Sequence, residues 1–402
     1  MKNNWLPLLV TLAIQAMVSL ALLAVPVMAT VVAQALGVSA TLIGMFVAVA
    51  YVGAIAASLA SGSAVSRFGA IRVSQAGLLL CAAGLLLCAL PSPATVGLGA
   101  FLIGVGYGPI TPASSHLLAL TTPAHRMSLV FSIKQTGVPL GGMLAGAIVP
   151  GLVVLGGWQM ALFAVAAANV ACAFASQRLR AGLDADRDPG RALSFGNLLQ
   201  PLHLVMSQRV LARLAAFSFV FSAVQLSLST YLVTYLQVAL DYGLVKAGLA
   251  LSIAQIGGIV GRVAWGYVSD RWLGAMRALA LLSALMALST LATGLLNAQV
   301  PAFLVFALLV VFGASAIGWN GVYLAEVARR APPGMASMAT GGTLAVTFFG
   351  TVLGPALFGA LAALGGSYRA GFAALAVPTA LCFVLLMRPD SSQPGAPGRA
   401  PG

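Results

Sequence analysis

Charged residues are absent from most of this chain, and the places where they do occur divide it. No Asp, Glu, Lys or Arg lies between Asn3 and Ser66, Val73 and His125, Ala278 and Ala325, or Ala331 and Tyr368. An uncharged apolar run of about 50 residues is too long for one bilayer crossing of roughly 20 and fits two. Turn signals stand where such runs should fold back: Gly37-Val38-Ser39, Pro91-Ser92-Pro93, Gly156-Gly157, Asn297 and Gly365-Gly366-Ser367. The pattern predicts twelve membrane helices, at 6–36, 40–65, 71–90, 95–121, 127–154, 157–177, 210–238, 244–268, 275–296, 300–327, 335–363 and 367–387. Helical periodicity is weak, as expected where most faces meet lipid or another helix.

Composition agrees with an all-α membrane protein. The chain is 60% hydrophobic and only 7% charged, against about 25% charged in an average soluble domain. The net charge of +13 would suggest a polyanionic partner if it were spread over a surface. Instead, of the 20 Lys and Arg, all but Lys134, Lys246, Arg262 and Arg369 fall at the termini or in one set of alternate turns. This positive-inside asymmetry puts both termini in the cytoplasm of a bacterial inner membrane. It also removes nucleic acid as a partner.

Lys2 ahead of an apolar run resembles a signal peptide, but the run continues past Leu36, so a first membrane helix is expected. Cys81, Cys88, Cys172 and Cys382 lie in predicted spans without metal-ligand spacing and read as packing residues. There is no His-rich cluster, phosphate-binding Gly-x4-Gly-Lys-Ser/Thr loop or ATPase domain. No enzyme activity, cofactor or metal is expected. The expected partners are a small solute and the lipid bilayer, around a monomer.

The one long polar stretch, Arg178 to about Gln208, separates six helices from six. The expected organisation is an N-terminal bundle at 1–177, a cytoplasmic linker at 178–209, a C-terminal bundle at 210–388 and a disordered tail at 389–402. A Gly/Arg loop follows the second helix, with Gly62, Arg67, Gly69 and Arg72, and returns loosely after the eighth as Gly266, Asp270, Arg271 and Arg277. Its recurrence half a chain-length later marks a duplicated membrane half, and internal repeats of this kind build transporters with a site where the halves meet.

Twelve helices, a central linker and this Gly-x3-Asp-Arg-x-Gly-x-x-Arg type loop resemble the major facilitator superfamily, over residues 5–388. The resemblance implies a fold of two pseudo-symmetric six-helix bundles, with both loops serving the gates. In that family the loop's Asp helps latch the cytoplasmic side in the outward-open state. Ser66 stands at that position in the first copy, while the second keeps Asp270.

Two cations are buried within predicted spans. Lys134 lies eight residues beyond Arg126, and Arg262 eight before Asp270. At 1.5 Å per residue both sit roughly 12 Å in from the basic ends of their helices. A cation at such depth costs about 2.5–3.5 kcal/mol on insertion scales and points to function. In the superfamily fold the fifth and eighth helices come from different halves and face each other, so this pair could clamp an anion as the halves rock. The competing reading is a buried carboxylate partner, with Glu326 the one that could reach Arg262, or a side chain that snorkels to the interface. Arg262, four residues before Gly266, resembles the substrate arginine of monocarboxylate and nitrate-cyanate carriers, where a guanidinium fork suits a planar anion. Gly258 replaces the monocarboxylate carriers' Asp one turn earlier, and no Arg precedes Arg67 as in the nitrate type, so organic and inorganic anions stay open.

The same resemblance places the first, fourth, seventh and tenth helices around the cavity. On those helices Gln15, Tyr107, Thr111, Gln225, Tyr231, Trp319, Asn320 and Tyr323 are candidate pocket residues; with so few carboxylates, proton coupling would fall to His116, Glu326, Asp241 or the charge state of the substrate itself. Gly137-Val138-Pro139-Leu140-Gly141-Gly142 reads as a bending and packing element. The expected function is secondary transport of a small organic or inorganic anion by alternating access, with import favoured. The alternative is proton-coupled efflux of drugs or hydrophobic solutes. Against it, the first six helices contain no membrane Asp or Glu to attract a cationic drug.

Overall fold

The computed structural model describes residues 5–123, 127–190, 200–332 and 335–387. The expected tail, Arg126 and part of the linker lie outside these residues. In a bilayer core the backbone must satisfy its own hydrogen bonds, and the described chain is built from helices. The first crossing joins α1 (Leu6–Val27) to α2 (Ala29–Leu36), parted at Met28 behind Pro26. The next two are α3 (Ile43–Phe68) and α4 (Ala70–Cys88). The fourth is broken at Gly108 and Pro109 into α5 (Pro93–Tyr107) and α6 (Ile110–Thr121). The fifth starts as α7 (Met127–Gln135) and continues into α8 (Gly137–Leu183). Gly156 and Gly157 turn α8 back as the sixth crossing, Gly157 at φ 83°, a conformation that needs glycine.

After the short linker helix α9 (Gln200–Ser207) come α10 (Arg209–Leu240), α11 (Leu244–Val268) and α12 (Ala275–Gly294). The tenth crossing is again broken, into α13 (Ala302–Ala316) and α14 (Asn320–Arg330). The last two are α15 (Ala336–Leu364) and α16 (Tyr368–Met387). The twelve predicted spans are all present. Within the expected linker, α8 runs on to Leu183 and α9 packs against α10 and α15.

Within the first half α1 packs on α8 and α4 on α5; within the second α10 packs on α15 and α12 on α16. Between the halves, α8 meets α11 and α3 meets α15. Small residues make this seam close. At Gly146 and Gly248 the backbones of α8 and α11 touch, and a Cβ on Gly44 would run into the Pro355 carbonyl and the Tyr231 hydroxyl. Hydrogen bonds across the seam start at the end opposite the basic loops, with Thr30 Oγ1 to Gln237 Oε1 at 2.9 Å and the Tyr231 hydroxyl to the Thr41 carbonyl at 2.7 Å. They continue through Ser252 Oγ to the Met143 carbonyl at 2.8 Å and end at Arg262. Nearer the basic end none joins the two bundles among the described residues. The molecule is shut at the end opposite its basic loops.

The first basic loop has an acid after all, supplied from the end of α8. The buried Asp184 carboxylate accepts the N–H groups of Ile71 at 2.7 Å and Arg72 at 3.0 Å. These open the first turn of α4, where unpaired N–H groups and the helix dipole favour an anion. Gly69, at φ 95°, makes room, since a Cβ there would strike the Asp184 side chain. The Asp188 N–H donates to the Ser66 carbonyl at 2.8 Å, and Asp186 meets His116 at 2.6 Å. Asp184→Ala is expected to destabilise the protein by about 0.5–2 kcal/mol, the cost of a lost helix cap. Thermal unfolding of purified protein checks this, and an unchanged midpoint would show that the cap contributes nothing.

Candidate functional site

The site begins with a proline. Pro139 has no N–H, so the carbonyl of Gln135 four residues earlier lacks its helical donor at the junction of α7 and α8. Arg262 of α11 supplies one from the other half, donating Nη1 to the Gln135 carbonyl at 2.7 Å. Its Nε donates to the Ile317 carbonyl at 3.1 Å, in the break between α13 and α14. The guanidinium therefore ties two helix breaks, one per bundle. Two of its five N–H donors are used, and three remain for a ligand.

Lys134 is the residue before Gln135. Its side chain is 1% exposed. Nζ donates to Thr111 Oγ1 at a long 3.4 Å, and that hydroxyl donates to Gln15 Oε1 at 3.2 Å. Gln15 Nε2 is buried without a partner. No described carboxylate pairs with Lys134 or Arg262. Each lies within range of the other's charge, and Arg262 is also within range of Tyr107. The fifth and eighth helices thus bring together two cations at similar depth, with spare donors around them and no protein anion.

A second cluster, on α10, α14 and the break before α14, is aromatic. Trp319 Nε1 and Asn320 Nδ2 both donate to Gln225 Oε1, at 3.0 and 3.3 Å. The Trp319 ring packs edge-on against Phe221 at 5.5 Å and Tyr323 at 5.2 Å. Tyr107 stands edge-on to Tyr51 at 6.0 Å. Tyr231 is apart from these. Besides bonding Thr41 it donates to the Pro355 carbonyl at 3.1 Å and stacks on Phe358, which makes it part of the closed seam.

The three candidate proton carriers also lie apart. Glu326 is buried and gripped by Arg329 at 3.0 Å and Arg330 at 2.9 Å, not by Arg262. His116 holds Asp186. Asp241 is exposed at the end of α10, with φ 55°, on the shut side of the bundle. Of the loop residues, Gly62, Gly266 and Gly274 face open space, Arg67 lies over the Phe68 ring, Arg72 bonds Gln75, and Asp270, Arg271 and Arg277 are exposed. Sequence reasoning missed Asp184, Phe221 and the Gln135 carbonyl. Only the carbonyl left a signal, since Pro139 removes its donor.

Known proteins share this architecture. A nucleoside transporter, NupG, superposes with a TM-score of 0.78 at 16% identity, covering 95% of this chain and all of that one. A bacterial homologue of the human lysosomal transporter Spinster, solved inward-facing and unoccupied, gives 0.77 at 13% identity, covering 96% of this chain and 97% of the other. In sequence, the chain is 24% identical to the benzoate transport protein of Acinetobacter baylyi, over 71% of its own length and 66% of that protein's. It is also 24% identical to the gentisate transporter of Corynebacterium glutamicum, over 87% and 78%. The model of the Major Facilitator Superfamily matches residues 8–349, and the chain belongs to that superfamily of membrane transporters.

Proposed function

We propose that this protein is a secondary carrier that takes up a small organic anion, an aromatic monocarboxylate, across a bacterial inner membrane with its basic end in the cytoplasm. The observation that carries the reading is the Lys134–Arg262 pair, a buried ammonium and a half-buried guanidinium with unused donors and no described carboxylate paired to either. Such a site has a positive local potential that rejects cations and favours anions. The three spare guanidinium donors suit a carboxylate, and the Ile317 carbonyl that Arg262 bonds lies two residues from Trp319, whose ring packs with Phe221 and Tyr323. Similarity to carriers named for benzoate and gentisate supports the aromatic choice. Alternating access rocks the two bundles about the seam, and the arrangement described above is the inward-facing one.

The test is competition against radiolabelled benzoate uptake into proteoliposomes, with the membrane potential clamped. Benzoate is expected to compete, benzamide weakly and benzylamine not at all, because charge decides before size. Stronger inhibition by benzylamine would overturn the anion reading in favour of cationic-drug efflux. Equal inhibition by benzoate and benzamide would mean that the two cations serve the gate alone.

A further inference from the structure

A negative-inside membrane opposes the entry of an anion, so accumulation requires a cation to travel with it or an anion to leave in exchange. The described carboxylates offer no carrier for that cation beside the site. Glu326 is held by two arginines, Asp184 by two backbone amides and Arg180, and Asp186 by His116. Asp188 and Asp270 are exposed at the basic end of the bundle and Asp241 at the opposite end. What remains at the site is Lys134.

The surroundings of Lys134 suit a group that is charged only part of the time. An ammonium presents three donors, and here one hydroxyl, at 3.4 Å, receives one of them. Of the helices packed on α7, α1 carries no titratable side chain, α6 carries only His116, tied to Asp186, and Cys172, Arg178 and Arg180 of α8 lie toward its basic end. Arg262 comes from α11 and Tyr107 from α5. An arginine keeps its proton in proteins. Charge on Nζ therefore meets a fixed like charge and little solvation until an anion arrives to balance both.

We propose that Lys134 carries the coupling proton, its Nζ a neutral amine in the empty site and an ammonium when the anion is bound. The inference rests on the anion reading above. In the outward-open state Nζ takes a proton from external water as the carboxylate binds Arg262. At the basic end the anion leaves and the proton returns to internal water. One anion and one proton enter together, no net charge crosses, and the carrier returns with the amine neutral.

The experiment counts protons. Titration calorimetry of the purified carrier with benzoate, at about pH 7 where a carboxylate is fully ionised, is repeated in buffers of different ionisation enthalpy. Wild type is expected to take up a large part of one proton per benzoate bound. Lys134→Arg, charged in every state, is expected to take up none, whatever its affinity. Lys134→Met, with nothing to titrate, provides the same test should the arginine variant not fold. Equal proton uptake in wild type and either variant overturns the proposal, as does wild-type binding without proton uptake. Benzoate uptake that follows the membrane potential and not the pH gradient also overturns it. If wild type binds no benzoate or other small carboxylate, the anion reading itself fails, and the proton assignment falls with it.

Discussion

Arg262→Ala and Arg262→Lys are both expected to abolish uptake while leaving the amount of carrier in the membrane unchanged. The guanidinium has separate nitrogens for the Ile317 carbonyl, the Gln135 carbonyl and an incoming carboxylate. An ammonium has one nitrogen and cannot span those three places. Each charge-assisted bond lost costs about 1.5–3 kcal/mol, or roughly ten- to a hundredfold in affinity. Uptake and binding assays on membranes matched for carrier content measure it. Near-normal transport by the lysine variant would show that charge alone matters at this position. Absence of both variants from the membrane would make Arg262 a folding residue and leave the anion reading without its main support.

A comparably large loss is expected from Gly44→Leu, a position far from either cation. The α3 backbone at Gly44 lies against the Pro355 carbonyl and Tyr231 hydroxyl of the other half, with no room for a side chain. A leucine there keeps that end from shutting, whereas the individual bundles retain their packing. Uptake should vanish at normal expression. A Thr30→Cys, Gln237→Cys pair, placed where these side chains bond at 2.9 Å, should cross-link in the wild-type background and fail to do so with Gly44→Leu. Efficient cross-linking in the leucine variant would mean that the seam closes without this contact. Gly146→Leu, opposite Gly248, should act alike.

Much of this architecture could be read from the chain. Charge-free runs and their turns located all twelve crossings, because a membrane span is defined by length and by what it excludes. The depth of Lys134 and Arg262 followed from counting residues to the basic loops. Their approach across the seam rested on family resemblance, and the structure brings the guanidinium to the residue next to Lys134. What stayed illegible was rotation and long-range pairing. A uniformly apolar helix gives little sign of which face meets which neighbour, so Tyr231 read as a pocket residue although it closes the seam. Nothing local ties Asp184 to Ile71, 113 positions earlier. The acid seemed to be missing at Ser66 because it is supplied by another helix. Glu326 is four residues from Arg330, a helical spacing that the sequence reading passed over in favour of Arg262.

The missing hydrogen of Pro139 links affinity to speed. Because the Gln135 carbonyl has no donor of its own helix, the closed seam holds the same guanidinium that the proposed anion would hold through another of its nitrogens. A ligand that pulls Arg262 away from Gln135 loosens the contact between halves, and by reciprocity a firmer contact must hold the ligand less tightly. A carrier built this way has a built-in tendency to let its cargo go as it closes the opposite side. A proline in one bundle thus makes release part of the same equilibrium as closure, and a tighter-binding version of this site would be expected to be a slower one.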